Sequence, residues 1–272
     1  AQGGYVIQTV PEKEAIETLE TWKELFFELR ETDVRLSRRG EGFGVGRNVA
    51  LILDRGAEGR ELKREELLTL LKLEKPAELD LLYKTANFLR QKYLSNSCCV
   101  HGTIEFSNYC ANDCVYCGIR RSNSILKRYR MSEEEIYAAV DEAVNKHGFK
   151  ALVLQSGEDQ EYPADRVAGI IKEIKKRYPV LIFVSTGEVG RGGLEKLYEA
   201  GARGLLMRFE TSNPQLYDKL HCGDKLKTRL ADIKAAYELG FLVLTGGLIG
   251  LPGQTEEDLL NDILLARELK AE

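Results

Sequence analysis

Long apolar runs are missing from this 272-residue chain, and nothing in it approaches the roughly 20 consecutive apolar residues of a membrane-spanning helix. An excess of positive charge is missing too. With 39 Lys and Arg against 43 Asp and Glu, the formal net charge is −4, which gives no electrostatic basis for binding nucleic acid. The opening residues, AQGGYVIQTVPEKE, lack the basic and then apolar pattern of a secretion signal, so a cytoplasmic location is expected. An initiator Met is also absent, and the numbering is expected to begin inside a longer product. Cysteine is not dense enough for a disulfide scaffold, yet five of the six cysteines fall within residues 98–117. Such clustering without a secretion signal points to metal chemistry in a reducing compartment.

Hydrophobic content of 43% in a chain of this length allows a substantial buried core. Residues 1 to about 100 are mostly helical by pattern. Ile16, Leu19, Trp22, Phe26 and Leu29 recur at helical spacing, which predicts an amphipathic helix over 12–31. The Gly- and Arg-rich stretch at 37–48 reads as a loop, and Val49 to Leu53 reads as a short strand or buried turn. Helices are predicted over 61–73 and 77–94, with Pro76 between them. The expected divisions are an N-terminal extension over 1–60, a helical lead-in over 61–101 and a core over 102–272.

From residue 102 the rhythm changes to short apolar, β-branched runs alternating with helical patterns. Strands are predicted at 103–107, 151–156, 180–186, 204–210 and 241–250. Helices are predicted at 132–146, 164–177, 192–200, 213–220, 225–239 and 255–269. Continuous apolar strands separated by helices indicate parallel βαβ units buried on both faces. The polar residues cluster after each strand, as in a TIM-type (β/α) barrel with function at the C-terminal strand ends. A Rossmann sheet would carry a G-x-G-x-x-G turn after its first strand, and none is present. Five units fit where eight close a standard barrel, so the C-terminal part of the barrel is expected to lie outside this sequence.

After the first predicted strand comes SNYCANDCVYCG, residues 107–118, with Cys110, Cys114 and Cys117 spaced C-x3-C-x2-C. A cubane 4Fe–4S cluster usually takes four cysteines; three leave one iron open to a substrate or cofactor. A structural zinc site is the alternative, with Cys98, Cys99 or His101 as fourth ligand. C-x3-C is nonetheless an unusual zinc knuckle, and His101 falls at the opposite end of the strand.

C-x3-C-x2-C at this point of a βα barrel resembles the radical S-adenosylmethionine (SAM) enzymes. The resemblance implies a 4Fe–4S cluster whose open iron chelates SAM. One electron then splits the sulfonium into methionine and a 5′-deoxyadenosyl radical. It also implies roles for particular residues. Tyr116 would pack near adenine. Gly157, Glu158 and Asp159 after the second strand would receive the methionine ammonium. Ser185, Glu188, Arg191, Arg208 and Glu210 would serve ribose hydroxyls and the SAM carboxylate, the latter suited to a guanidinium fork. The segment at 246–255, with Gly250 and Leu251, would support adenine through its backbone.

Several longer runs, among them IEFSNYCANDCVYCGIRRSN, LVLQSGED, RFETSNPQLYDKL and GLIGLPGQTEEDL, resemble the HydE family of FeFe-hydrogenase maturases, grouped with biotin synthase and PylB. That resemblance implies a substrate in the form of an iron carbonyl–cyanide complex carrying cysteine. It also implies partner maturases and a flavodoxin or ferredoxin as electron donor. The chain departs from the family pattern at Val189-Gly190, where Trp-Pro is usual, and at Phe209, where His is usual. It departs again at His221-Cys222, where Arg-Pro is more usual.

Overall fold

The structure is a computed structural model and describes residues 44–95, 100–221 and 225–271. The predicted helix over 12–31, together with Cys98, Cys99 and Cys222, lies outside the described residues. The chain divides into two compact units, Ala1–Cys98 and Cys99–Glu272.

In the first unit the described residues form α1 (Arg47–Ala57), α2 (Arg64–Leu71) and α3 (Pro76–Leu94). The expectation of a strand or turn at Val49–Leu53 is corrected: this run lies inside α1. Val49, Ala50, Ile52, Leu53 and Ala57 are buried while Leu51 is exposed, a helical face rather than an alternation. The β-branched run is too short to reveal that period without the residues that follow it. Helix α3 starts with Pro76 in its first turn, where a missing N–H costs nothing.

In the second unit five strands alternate with helices. They are β1 (Gly102–Ser107), β2 (Ala151–Ser156), β3 (Leu181–Ser185), β4 (Gly204–Leu206) and β5 (Leu242–Leu244). Between and after them run α4 (Glu133–Asp141), continued by a π turn over Glu142–Lys146, then α5 (Ala164–Arg177), α6 (Gly190–Ala200), α7 (Pro214–Leu220), α8 (Leu226–Leu239) and α9 (Glu256–Glu268). All strands are parallel and neighbours in sequence are neighbours in space, in the order β1-β2-β3-β4-β5.

That order is the arc of a barrel, since a doubly wound sheet reverses direction at a switch point. Side-chain packing agrees. Ile104, Phe106, Leu152, Leu154, Ile182, Val184, Leu205 and Val243 belong to one core cluster with Ile136, Val167, Ile171, Leu194, Leu197 and Ile233 of the helices. The alternate residues Ala151, Val153 and Phe183 form a separate, small cluster on the other face. Helices therefore cover one face and the second face lines the interior. Gly204 is needed there, because a Cβ would run into the Phe183 ring on the adjacent strand.

Strands β4 and β5 are shorter than the apolar runs that encode them. Past Leu206 the chain keeps one further parallel bridge, Glu210 to Gly247. Glu210 has φ +66, left-handed backbone that turns the chain away from the ladder.

Candidate functional site: a three-thiol loop at the barrel rim

The three cysteines lie on the connection that follows β1, and local polar groups fix its shape. The loop returns alongside β1, where Met131 N–H donates to Phe106 O at 2.8 Å and Ser107 bridges Arg130. Asn108 clamps the return through Nδ2 to Lys127 O at 2.9 Å and by accepting from Tyr129 N–H at 2.8 Å. Arg128 fills the middle of the loop. Its guanidinium donates to the carbonyls of Asn108, Ile119, Arg120 and Asn123. Within the loop Cys117 N–H donates to Cys114 O at 3.0 Å, a turn that brings those two residues together.

The end of β2 and the end of α7 hold the loop from outside. Ala111 N–H donates to Glu158 O at 2.9 Å, and Val115 N–H to Leu220 O at 3.0 Å. Gly157 passes so close beneath the loop that a Cβ there would meet Tyr109 O and stand 2.7 Å from the Cys110 Cβ. All three cysteines are free thiols; Cys114 is buried and the others half-buried. Burial pushes the Cys110 thiol up, the Glu158 and Cys117 charges add to this, and backbone N–H groups oppose it.

Asp159 takes a different place from the one expected of a SAM ligand. Its carboxylate is bidentate to Arg130, at 2.7 and 2.9 Å, and accepts from Ser107 Oγ at 2.5 Å. Burial works against its charge, but Arg130 and Ser107 outweigh it and hold the carboxyl below its ordinary value. Arg130 also lies 3.7 Å over the Tyr109 ring. Asp159 thus ties β1 and its loop to β2.

Arg191 stands apart from the cluster of strand-end residues. It is exposed on α6 and pairs with Glu195 at 3.2 Å and Glu238 at 2.6 Å. Gly250 and Leu251 form a turn whose N–H groups both donate to Gln254 Oε1, at 2.8 and 3.2 Å. Ser185 ends β3 in register with Gln155.

The remaining expected residues converge. Glu158 Oε1 accepts from Glu188 N–H at 3.1 Å, and Gly187 makes the approach possible: it has φ +77, and a Cβ would overlap the Glu158 side chain. Arg208 donates to Gly247 O at 2.6 Å and lies 3.5 Å from Glu210 Oε2. Glu210 Oε1 lies 3.2 Å from the Tyr116 hydroxyl, within hydrogen-bond distance. Burial raises the Glu210 pKa, against the pull of Arg208, Tyr116 and Arg229. Burial likewise raises that of Tyr116.

Three residues in this network were not among the expected ones. Arg229 of α8, largely buried, reaches Glu188 Oε1 at 3.1 Å, Glu158 Oε1 at 3.8 Å and the Tyr217 hydroxyl at 2.9 Å. Burial opposes its charge, but Tyr217, Glu188 and Glu158 raise its pKa overall. The signal was present: Arg229 shares the buried face of α8 with Leu226, Ile233 and Ala236, where an unpaired cation would be costly. Tyr217 stacks on His221, with centroids 4.3 Å apart and rings 2° from parallel. His221 Nδ1 lies 3.4 Å from Cys114 Sγ, and its Nε2 lies 2.9 Å from the Tyr116 hydroxyl. Phe209, where the related pattern carries His, is buried in the core between strands and helices.

Among the described residues no three His, Cys, Asp or Glu side chains converge closely enough to hold one metal ion. A cubane does not ask for convergence, because each thiolate ligates a different iron. Three free thiols on one pinned loop fit that donor set. His101, the expected alternative zinc ligand, sits just before β1 and packs edge-on against Phe183, with ring centroids 4.8 Å apart.

A parallel βα arc carrying a three-thiol loop after its first strand defines a class of barrel proteins with their chemistry at the C-terminal rim. The chain belongs to the Radical SAM superfamily, whose sequence profile matches residues 104–266. Enzymes of that family use a 4Fe–4S cluster and SAM. The [FeFe] hydrogenase maturase subunit HydE of Thermotoga maritima is 43% identical over 211 residues, covering 78% of this chain and 60% of the relative. The 3-methylornithine synthase of Methanosarcina acetivorans is 34% identical, covering 73% of this chain and 57% of its own length. This chain thus spans about three fifths of these relatives. The crystal structure of methylornithine synthase (PylB) superposes with a TM-score of 0.75 at 30% identity, over 81% of this chain and 65% of that one. The hydrogenase maturase HydG, at 24% identity and a TM-score of 0.74, shares the fold over 89% of this chain and 54% of its own. No helix among the described residues is long and apolar enough to cross a membrane.

Proposed function

We propose that this protein is a radical SAM enzyme and that Cys110, Cys114 and Cys117 hold its 4Fe–4S cluster. When bound, that cluster supplies one electron through its thiolate-free iron to the sulfonium of SAM, whose C5′–S bond breaks to give methionine and a 5′-deoxyadenosyl radical. The observation that carries the reading is the trio of free thiols on one loop at the rim, facing a set of charged residues from three other strand ends.

The chain's own residues divide the work. Asn108 and Arg128 hold the loop that carries the three thiols in one shape. Glu158, Glu188 and Glu210 offer carboxylates near the loop, which suits the ammonium and ribose hydroxyls of SAM. Arg208 lies 3.5 Å from Glu210, and Arg229 lies 3.1 Å from Glu188 and 3.8 Å from Glu158, so the two cations offset repulsion among these carboxylates. Arg208, half-exposed at the rim, is the guanidinium placed for a carboxylate. Tyr116 sets an aromatic face beside the thiols.

The finer reading is a HydE-like role. In this role the enzyme acts with other hydrogenase maturases on an iron carbonyl–cyanide complex carrying cysteine, and takes electrons from a flavodoxin or ferredoxin. It is supported by the 43% identity to the Thermotoga maritima maturase. A second reading, a PylB-like reaction on a small organic substrate, is supported by the superposition at a TM-score of 0.75.

Anaerobic reconstitution with iron and sulfide, then dithionite and SAM, should yield 5′-deoxyadenosine. Uptake of zinc in place of the cluster, or no cleavage by a fully loaded protein, would remove the proposal. Activation of hydrogenase apoprotein in a maturation assay separates the HydE-like reading from formation of 3-methylornithine.

A further inference from the structure

Resting on the reading above, we infer that His221 is a positioning residue whose Nδ1–H donates a hydrogen bond to the Cys114 sulfur and so raises the reduction potential of the bound cluster. The geometry leaves the ring little freedom. It is 2% exposed and stacks flat on Tyr217. The Tyr116 ring packs edgewise against it, with centroids 5.6 Å apart. Its own N–H donates to Tyr217 O at 2.8 Å, and the residue before it, Leu220, accepts from Val115 N–H of the thiol loop. Tyr217 is itself held by Arg229 through its hydroxyl. The imidazole is therefore anchored to the same loop that bears the sulfur it touches.

The direction of the bond follows from proton counting. A cysteine that ligates iron is a thiolate and has no proton to give. The proton between Sγ and Nδ1 must then belong to Nδ1. A neutral imidazole with its proton on Nδ1 has a lone pair on Nε2; the Tyr116 hydroxyl lies 2.9 Å from Nε2 and 3.2 Å from Glu210 Oε1, and in this arrangement its one proton goes to Nε2, the nearer acceptor. Tyr116 thereby fixes the tautomer that His221 needs.

The consequence for the cluster is electrostatic. A donor aimed at a ligand sulfur stabilises the extra negative charge of the reduced state more than the oxidised state, and hydrogen bonds to sulfur are among the levers that set such potentials. Burial strengthens the effect, since little water competes at this side of Cys114.

The test is redox titration of the reconstituted cluster in the absence of SAM, followed by electron paramagnetic resonance, alongside iron and sulfide counts. His221→Phe keeps a ring to stack on Tyr217 and removes the donor. His221→Asn places an amide N–H near the position of Nδ1. The expected result is full cluster content in both, a midpoint shifted to more negative potential in the Phe variant, and a midpoint close to the unsubstituted protein in the Asn variant. An unchanged midpoint in a fully loaded Phe variant would overturn the inference. Should the Phe variant not take up iron, Tyr116→Phe replaces it: loss of the hydroxyl frees the tautomer and should shift the midpoint in the same direction, and no shift would count against us. Failure of the unsubstituted protein to bind a cluster would instead sink the proposed function, and this inference with it.

Discussion

Gly157 lies so close to Cys110, 47 residues away in sequence, that a Cβ on the glycine would come 2.7 Å from the cysteine's Cβ. The loop that carries the thiols rests directly on the end of β2. A methyl group there has nowhere to go, because the other nearest atom is the backbone carbonyl of Tyr109. Gly157→Ala is expected to cost about 1–3 kcal/mol, as overpacking does in a tight site, and to lower iron content after reconstitution. Denaturant unfolding and iron counting measure the two separately.

Cys114→Ala removes one proposed cluster ligand. We expect at least a thousandfold loss of 5′-deoxyadenosine formation, with the fold intact by circular dichroism, since a buried Cys is replaced by a smaller apolar residue. Retained turnover in this variant would refute the assignment of the thiols.

Asp159 links stability to pH. Its folded carboxyl lies below the ordinary value of 3.8 because Arg130 and Ser107 outweigh burial. A depressed acid contributes stability that is fully present above the unfolded pKa and is lost as pH falls through the folded one. Stability should therefore be level from this group's standpoint at pH 5–7 and decline below about pH 4. Asp159→Asn should lose about 2 kcal/mol at pH 7 and show a shallower decline in acid, read from urea midpoints across pH. Equal slopes for the two proteins would argue against this account.

Arg229 is the buried cation shared by two carboxylates, Glu188 at 3.1 Å and Glu158 at 3.8 Å. Arg229→Met preserves length but leaves Glu158 and Glu188 without their shared cation, an arrangement expected to cost about 3 kcal/mol. Arg229→Lys should recover part of that loss, because it restores charge without the fork that also reaches Tyr217. Unfolding midpoints of the three proteins decide the matter.

Much of this architecture could be read in advance. Alternating apolar runs and helical patterns gave the five strands within a residue or two wherever the strand is long, as at Ala151–Ser156. The apolar runs at 204–210 and 241–250 overshot: the regular ladder ends at Leu206 and Leu244, and beyond it only the bridge from Glu210 to Gly247 remains, a break that no apolar count records. Val49 to Leu53 misled for the opposite reason: five residues are fewer than two helical turns, so the period was hidden. Arg191 and Arg208 looked alike in sequence, each a basic residue near the C-terminal end of a predicted strand. Only one joins the rim, since Arg191 has begun α6 and meets carboxylates on the outer surface.

The sequence by itself determined the three-thiol motif. Three cysteines within eight residues must share one loop wherever that loop lies, because chain connectivity alone keeps them close. It also determined the βα rhythm, a matter of local period. Tertiary structure alone decided what surrounds the thiols. His221 meets Cys114 across 107 residues, and Arg229 of α8 meets Glu188 in the loop after β3. Such pairings depend on strand order, register and the direction of each side chain at the rim, and these are set only when all five strands assemble.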